Sequence, residues 1–306
     1  MPYRLMPHDT SLQHMLRRIA LEDLGAALAT LETPRLVAPS GIHDIRKRIK
    51  KLRALLRLVR PGFPDFAQEN VALRMAGQSL ASRRDADVRL ATYDALFGAH
   101  AGLAPLRARL VADGSDATDM PADAGLILGA LRHRAQHWHL TGRDRDILTK
   151  ALTQTRRNAQ KTMAVATKSR SVQAMHDWRK CAKTHWYQAR LLSPIWPEAM
   201  APVIATAERL TEDLGDHHDL AVLADYAAAL PKGLIDKPAA AHFTQVIDAA
   251  RTALETRIFP DGHRQFAGDP QAMARLWVRW WRLWQDQAAS APDSPLSISA
   301  TVSSTP

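Results

Sequence analysis

Along most of this chain apolar residues recur at spacings of three and four, the period of a helix with one buried face. Leu12, Met15, Leu16, Ile19, Leu24, Ala27, Leu28 and Leu31 mark a first helix. Ile42, Ile45, Ile49, Leu52, Leu56 and Val59 mark a second. The pattern predicts further helices over about 66–81, 85–97, 103–112 and 121–139, then over 144–168, 172–192, 199–214, 218–229, 239–258 and 270–288. Thr33-Pro34, Pro39-Ser40-Gly41, Arg60-Pro61-Gly62, Gly98, Gly102 and Gly114 fall between the periodic runs, and no stretch alternates as a half-buried strand would. The expected fold class is all-α. Thr141-Gly142 is the predicted boundary between two units, 11–140 and 141–288, of about six helices each. From Ser290 onward Ser, Pro, Thr and Ala dominate, and 289–306 is expected to be a disordered tail.

The polar face of the second helix is written twice. His43–Pro64, HDIRKRIKKLRALLRLVRPGFP, recurs 133 residues later as HDWRKCAKTHWYQARLLSPIWP, with nine of 22 positions identical. The shared residues are mostly cations. At about 100° per residue, His43, Arg46, Lys47, Lys50 and Arg57 share one stripe, apart from the apolar one. Arg53 lies on the same helix. His176, Arg179, Lys180, Lys183 and Arg190 repeat the stripe, while Met175, Trp178, Ala182, Ala189 and Leu192 form most of its packing face. A second match, at offset 134, pairs Leu80, Arg84, Asp85 and Val88 with Leu214, His218, Asp219 and Val222. Arg17-Arg18 and Arg156-Arg157 precede the two copies on the preceding helices. Two such halves are expected to pack about a pseudo-two-fold axis, with both stripes lining one basic central groove.

Charge sharpens this picture. The chain carries a formal net charge of +10. Residues 42–60 hold +7 of it and 172–192 hold +3, so the remainder is neutral. A solvated helix face mixes signs, because like charges at i,i+4 repel. Here Arg46/Lys50, Lys47/Lys51 and Arg53/Arg57 are like pairs, so the stripe reads as an anion site. Polyanions are the implied partners: nucleic acid, an anionic surface or polymeric phosphate. The single cysteine, Cys181, excludes an intrachain disulfide and reads as a structural thiol. The start MPYRLMPHDT has no apolar core of a secretory signal, and no run approaches about 20 apolar residues, so a cytoplasmic protein is expected and no membrane partner.

These residues resemble the CHAD family, the conserved histidine α-helical domain. The resemblance rests on His43-Asp44-x-Arg46-Lys47, His176-Asp177-x-Arg179-Lys180, Arg84-Asp85 and Gly215-Asp216-His217-His218-Asp219, and spans about 11–288. It implies paired helical bundles about a basic groove, binding of inorganic polyphosphate, association with polyphosphate granules, and no catalysis by the domain. No cofactor, metal or catalytic residue is implied. Relatives fused to a triphosphate-tunnel domain carry an ExExK strand, which this chain lacks. Arg48, Lys51 and Arg53 become Cys181, Thr184 and Trp186, so the second copy is expected to contribute less.

The chemistry fits that implication. Arg offers a planar fork to phosphate and Lys a point charge. From His43 to Arg57 the stripe rises about 21 Å at 1.5 Å per residue, suiting a linear polyanion. Binding is expected to strengthen from pH 8 to 6 as His43 and His176 gain charge. Asp44 and Asp177 are expected to favour the helix starts and pair with Lys47 and Lys180.

Two alternatives stay open. All-α metal phosphohydrolases of the HD type also use His-Asp dyads, which occur here at 43–44, 176–177 and 218–219, although the first two sit beside cations that disfavour a dication. Nucleic acid is the other, with Trp186, Tyr187 and Gln188 as the base-reading side chains among the cations. His133, His137 and His139 read as a polar helix face, and Trp277, Trp280, Trp281 and Trp284 as the core stripe of a helix sealing the second bundle.

Overall fold

Eleven α-helices and no strand make up the regular structure among the described residues. The computed structural model describes residues 3–32, 39–80, 82–115, 122–231 and 233–290, the side chains of 39, 40, 82–85, 115 and 122 excepted. In chain order the helices are α1 Leu12–Glu32, α2 Pro39–Val59, α3 Phe66–Ser79, α4 Ser82–Phe97, α5 Ala104–Ser115 and α6 Ala122–Ala135, then α7 Asp144–Ser169, α8 Val172–Leu191, α9 Pro197–Ala229, α10 Lys237–Gln265 and α11 Pro270–Ser290. The all-α expectation holds. The break at Thr33-Pro34 lies outside the described residues, as does most of the expected tail, whose first two residues belong to α11.

The second half differs from the expected six helices. Residues 199–214 and 218–229 form one continuous helix, α9, where the first half has separate α3 and α4. Gly215, which falls in the expected gap between the two predicted helices, is a buried position inside it. A lone glycine costs a helix about 1 kcal/mol against alanine, too little to end one that is packed on both sides.

The hydrophobic core does not divide at Thr141-Gly142. One cluster joins α1, α2, α3 and α6 to Leu148 and Leu152 of α7, Leu191 of α8, Met200 of α9 and Trp277 and Trp281 of α11. The other joins Tyr93, Leu106 and Leu110 of α4 and α5 to Met163, Trp178, Leu210, Leu214, Ile247 and Ile258. Each cluster draws on both halves, because α4 packs on α9 and α2 packs on α7 and α8. The division into 11–140 and 141–288 is therefore not a division between cores. Trp277 and Trp281 are core residues as expected, but α11 closes the first cluster rather than the second.

Three contacts position the two basic helices. At the end of α2, the Thr141 N–H donates to the Gly62 carbonyl at 2.8 Å. A Cβ at Gly62 would come within 2.4 Å of Ile147 Cδ1, so only glycine seats this end on the start of α7. Ser171 caps α8 by accepting from the Ala174 N–H at 3.2 Å. Trp178, fully buried, packs against Gly262 of α10, where a Cβ would meet the indole at 2.4 Å. The predicted packing faces of α2 and α8 are all buried. Along its second half α8 is enclosed almost all round, with Thr184, His185, Trp186, Tyr187, Gln188 and Ala189 buried. That enclosure explains why Thr184 and Trp186 stand where α2 has Lys51 and Arg53: long cations have no water to reach there. Among the described residues, no helix is long and apolar enough to cross a membrane.

Candidate anion-binding site

The two basic helices meet. Ala54 of α2 clusters with Trp186, Tyr187 and Ala207, and the Gln188 side chain donates to the Ala54 carbonyl at 3.3 Å. Ala54 and Tyr187 are matching positions of the two copies. A small residue at the crossing lets the helices approach and draws their stripes together. Beside it lies a cavity of about 150 Å³, lined by Lys50, Arg53 and Arg57 from α2 and by Arg179, Lys180, Lys183, Thr184 and Tyr187 from α8. Its lining holds six cations and no carboxylate.

Electrostatics single out three of these groups. Burial, then Arg53, then Arg60 pull the Arg57 guanidinium down to about 10, with only Cys181 opposing. Burial and then Arg74 lower Arg53. Burial, then Arg179, lower Lys183 to about 8, against the more distant Glu212 and Glu208. These are cations withdrawn from water beside further cations, and an anion in the cavity would oppose each shift by favouring the charged form.

Local contacts fix their directions. Arg53 Nε donates to Asn70 Oδ1 at 3.3 Å. The Lys183 ammonium lies 4.1 Å from the Trp186 ring centroid, and the Arg190 guanidinium lies 4.9 Å from the same ring. Arg179 lies over Gly215, where a Cβ would sit 3.4 Å from its Nη2. The glycine inside α9 therefore makes room for a site residue. Lys180 pairs with Asp177 at 2.6 Å, as expected. Asp44 does not pair with Lys47; it accepts from Arg48 at 2.7 Å, and Arg48 also reaches Asp23 of α1 at 2.8 Å. A long guanidinium at i+4 bridges two helices, which an ammonium at i+3 does not.

The other expected site residues scatter. Lys47 is exposed on α2, close enough to Lys183 to lower it. Arg46 donates to the Gly77 carbonyl at 3.1 Å, and His43 is exposed near the start of α2. The His176 and His218 rings lie against each other, with centroids 4.3 Å apart and planes tilted by 35°. Burial, then Lys180 and Arg179, lower His176; burial, then His176 and Arg179, lower His218 to about 4. Both rings are thus held neutral at ordinary pH, and the expected gain of charge at His176 between pH 8 and 6 is opposed by its own neighbours.

Three of the expected arginines serve the fold instead, and a fourth stands apart. Arg17 Nε donates to the Trp138 carbonyl at 2.6 Å. Arg18 pairs with Asp9 at 2.7 Å and with Glu22 at 3.3 Å. Arg156 is buried, donates to the Ala267 carbonyl and lies over Phe266. Arg157 is exposed on α7 and does not line the cavity. Each of the first three has a local acceptor that a doublet of letters does not reveal. The Arg84 side chain lies outside the described residues. Thr184 and Tyr187 line the cavity without having been singled out for it, because their role depends on where α2 crosses α8.

The remaining candidates separate plainly. Cys181 is half-buried and burial pushes its thiol up. His133, His137 and His139 are exposed. Among the described residues, no group of three or more His, Cys, Asp and Glu side chains is arranged to hold a metal ion. Trp186, Tyr187 and Gln188 are buried, at 5%, 3% and 0% exposure, and so offer no open surface to a stacked base, although Tyr187 borders the cavity.

A family model described as the CHAD domain matches residues 13–228. The match ends within α9 and is shorter than the expected span of 11–288. Two solved structures share the fold. One is a crystal structure of the CHAD domain from the plant Ricinus communis, with a TM-score of 0.54, 18% identity, and coverage of 88% of this chain and 92% of that one. The other is PptA from Streptomyces chartreusis, with a TM-score of 0.51, 16% identity, and coverage of 90% and 98%. No curated protein matches the sequence.

Proposed function

The chain belongs to the CHAD domain family, a family linked to polyphosphate binding, and from that premise we propose that it binds inorganic polyphosphate without turning it over. One observation carries the reading: cations of both basic helices converge on a single cavity whose lining holds no carboxylate. Arg57, Arg53 and Lys183 are held there with lowered affinity for their protons, and a phosphate chain supplies the missing counter-charge. The narrowness of the cavity favours a bare chain over a nucleic acid, since a volume of about 150 Å³ holds a ring the size of benzene and no nucleotide. The buried Trp186 and Tyr187 point the same way. Within a cell, such binding fits residence at polyphosphate granules in the cytoplasm.

The test is a competition titration, long-chain polyphosphate against single-stranded DNA and RNA at matched charge and salt. Polyphosphate is expected to displace both, with an affinity that falls steeply with salt. Nucleic acid displacing polyphosphate would overturn the reading. Incubation with magnesium, manganese or zinc is expected to leave the polymer intact. Turnover that disappears in Asp219→Ala would restore the phosphohydrolase alternative.

A further inference from the structure

A second basic cavity adjoins the first. It has a volume of about 550 Å³ and lies where the end of α2 meets α7. Arg57 of α2 and Arg60 of the turn just after it line one side, and Lys150, Gln154 and Asn158 line it from α7. Arg57 is also a wall of the first cavity, so the two share a side chain. Lys150, Gln154 and Asn158 are spaced by four and form one stripe on α7, rising about 12 Å. The Gln154 side-chain amide donates to Asn158 Oδ1 at 2.7 Å, which leaves the Asn158 amide nitrogen as the donor for a guest. No carboxylate lines this cavity either. The acids of the first turn of α7 are already engaged. Asp146 pairs with Arg143 at 2.7 Å, and Asp144 accepts from the Leu12 N–H at 2.9 Å.

We propose that this α2–α7 cavity is an accessory anion site that takes the next stretch of the same phosphate polymer, with Arg57 as the joint between the two segments. The proposal rests on the polyphosphate reading above. It assigns binding roles to Arg60, which the second copy replaces with Ser193, and to Lys150 and Asn158, which lie outside the repeated stretch. It also gives chain length a structural meaning. A short chain fills the α2–α8 cavity alone, whereas a long one continues past Arg57. Contacts made by a chain already bound are effectively intramolecular, so the second segment raises affinity without needing strong contacts of its own.

The test compares two probes, tripolyphosphate and long-chain polyphosphate, on the full chain by isothermal titration. Lys150 is exposed, so Lys150→Ala leaves the fold intact, which circular dichroism checks. It is expected to weaken long-chain binding about tenfold and to leave tripolyphosphate binding within about twofold. Lys183→Ala is expected to weaken both. Lys168→Ala removes the same charge from the exposed far end of α7, and should leave both probes unaffected. Long-chain affinity unchanged in Lys150→Ala overturns the accessory site. So does an equal loss for both probes, or a loss matched by Lys168→Ala, because either outcome reduces Lys150 to a diffuse contribution to the field. A wild-type protein that binds neither probe overturns the polyphosphate reading itself, and the accessory site with it.

Discussion

Arg18 and Arg57 are both half-buried guanidiniums on neighbouring helices, and their surroundings are opposite. Burial acts against the charge of each. At Arg18, Asp9 and Glu22 outweigh it, and the guanidinium ends above its ordinary value. At Arg57 the neighbouring charges are Arg53 and Arg60, and the guanidinium is pulled down to about 10. The Asp9 carboxylate is almost fully covered, so the Arg18 field closes within the protein. The Arg57 field opens into a cavity. A basic residue is therefore the stronger candidate for holding an anion where the fold withholds its counter-charge. Arg134 with Glu69, and Arg48 with Asp23 and Asp44, belong on the Arg18 side of this division.

The largest expected effect tests the closed side. Arg18→Ala leaves the Asp9 carboxylate buried without its partner, and urea denaturation is expected to show a loss of about 3–5 kcal/mol. Polyphosphate affinity of the folded fraction should not change. A mutant of native stability that binds poorly would reverse the comparison.

The open side comes next. Arg57→Ala combined with Lys183→Ala is expected to weaken polyphosphate about 100-fold, equivalent to about 2.7 kcal/mol. The thermal midpoint without ligand should hold or rise, because like charges withdrawn from water destabilise the fold they occupy. A fall in the midpoint with normal binding would place both residues among the structural cations.

A smaller, sharper signal lies in pH. Lys183 titrates at about 8 against an ordinary 10.5, so it loses its charge as pH passes 8. Polyphosphate affinity is expected to fall a few-fold between pH 7 and 9, and Lys183→Arg should abolish that step because a guanidinium stays charged. The stability sign runs the other way. Between pH 8 and 10.5 the unfolded chain binds the proton that the folded chain releases, so this residue's contribution to stability rises with pH across that window. Identical pH profiles for wild type and Lys183→Arg would remove Lys183 from the site.

Much of this was legible in the letters. The periods of three and four identify the helices, and every apolar residue of the α2 stripe from Ile42 to Val59 is buried. Of the repeated cations, Lys50, Arg57, Arg179, Lys180 and Lys183 line one cavity. What the letters hide is pairing across distance. Arg17 and Trp138, or Arg156 and Ala267, are more than 100 residues apart, and nothing local announces that their donors are engaged. The titration of His176 is hidden for the same reason, since it depends on how deeply α8 is enclosed. Lys150 has no counterpart in the motif; it enters only because Gly62 seats the end of α2 on α7.

The exchange of helices between the two hydrophobic clusters bears on how such a chain closes its cores. A lone half would carry α4 and α5 with Tyr93, Leu106 and Leu110 facing no partner, since the residues that cover them belong to the other half. Carried on one chain, the two sets of residues meet by tether rather than by chance encounter, so each cluster closes without depending on protein concentration. Where α2 carries Lys51 and Arg53, α8 has Thr184 and Trp186 turned inward, so the same stretch of pattern serves charge on one helix and core on the other.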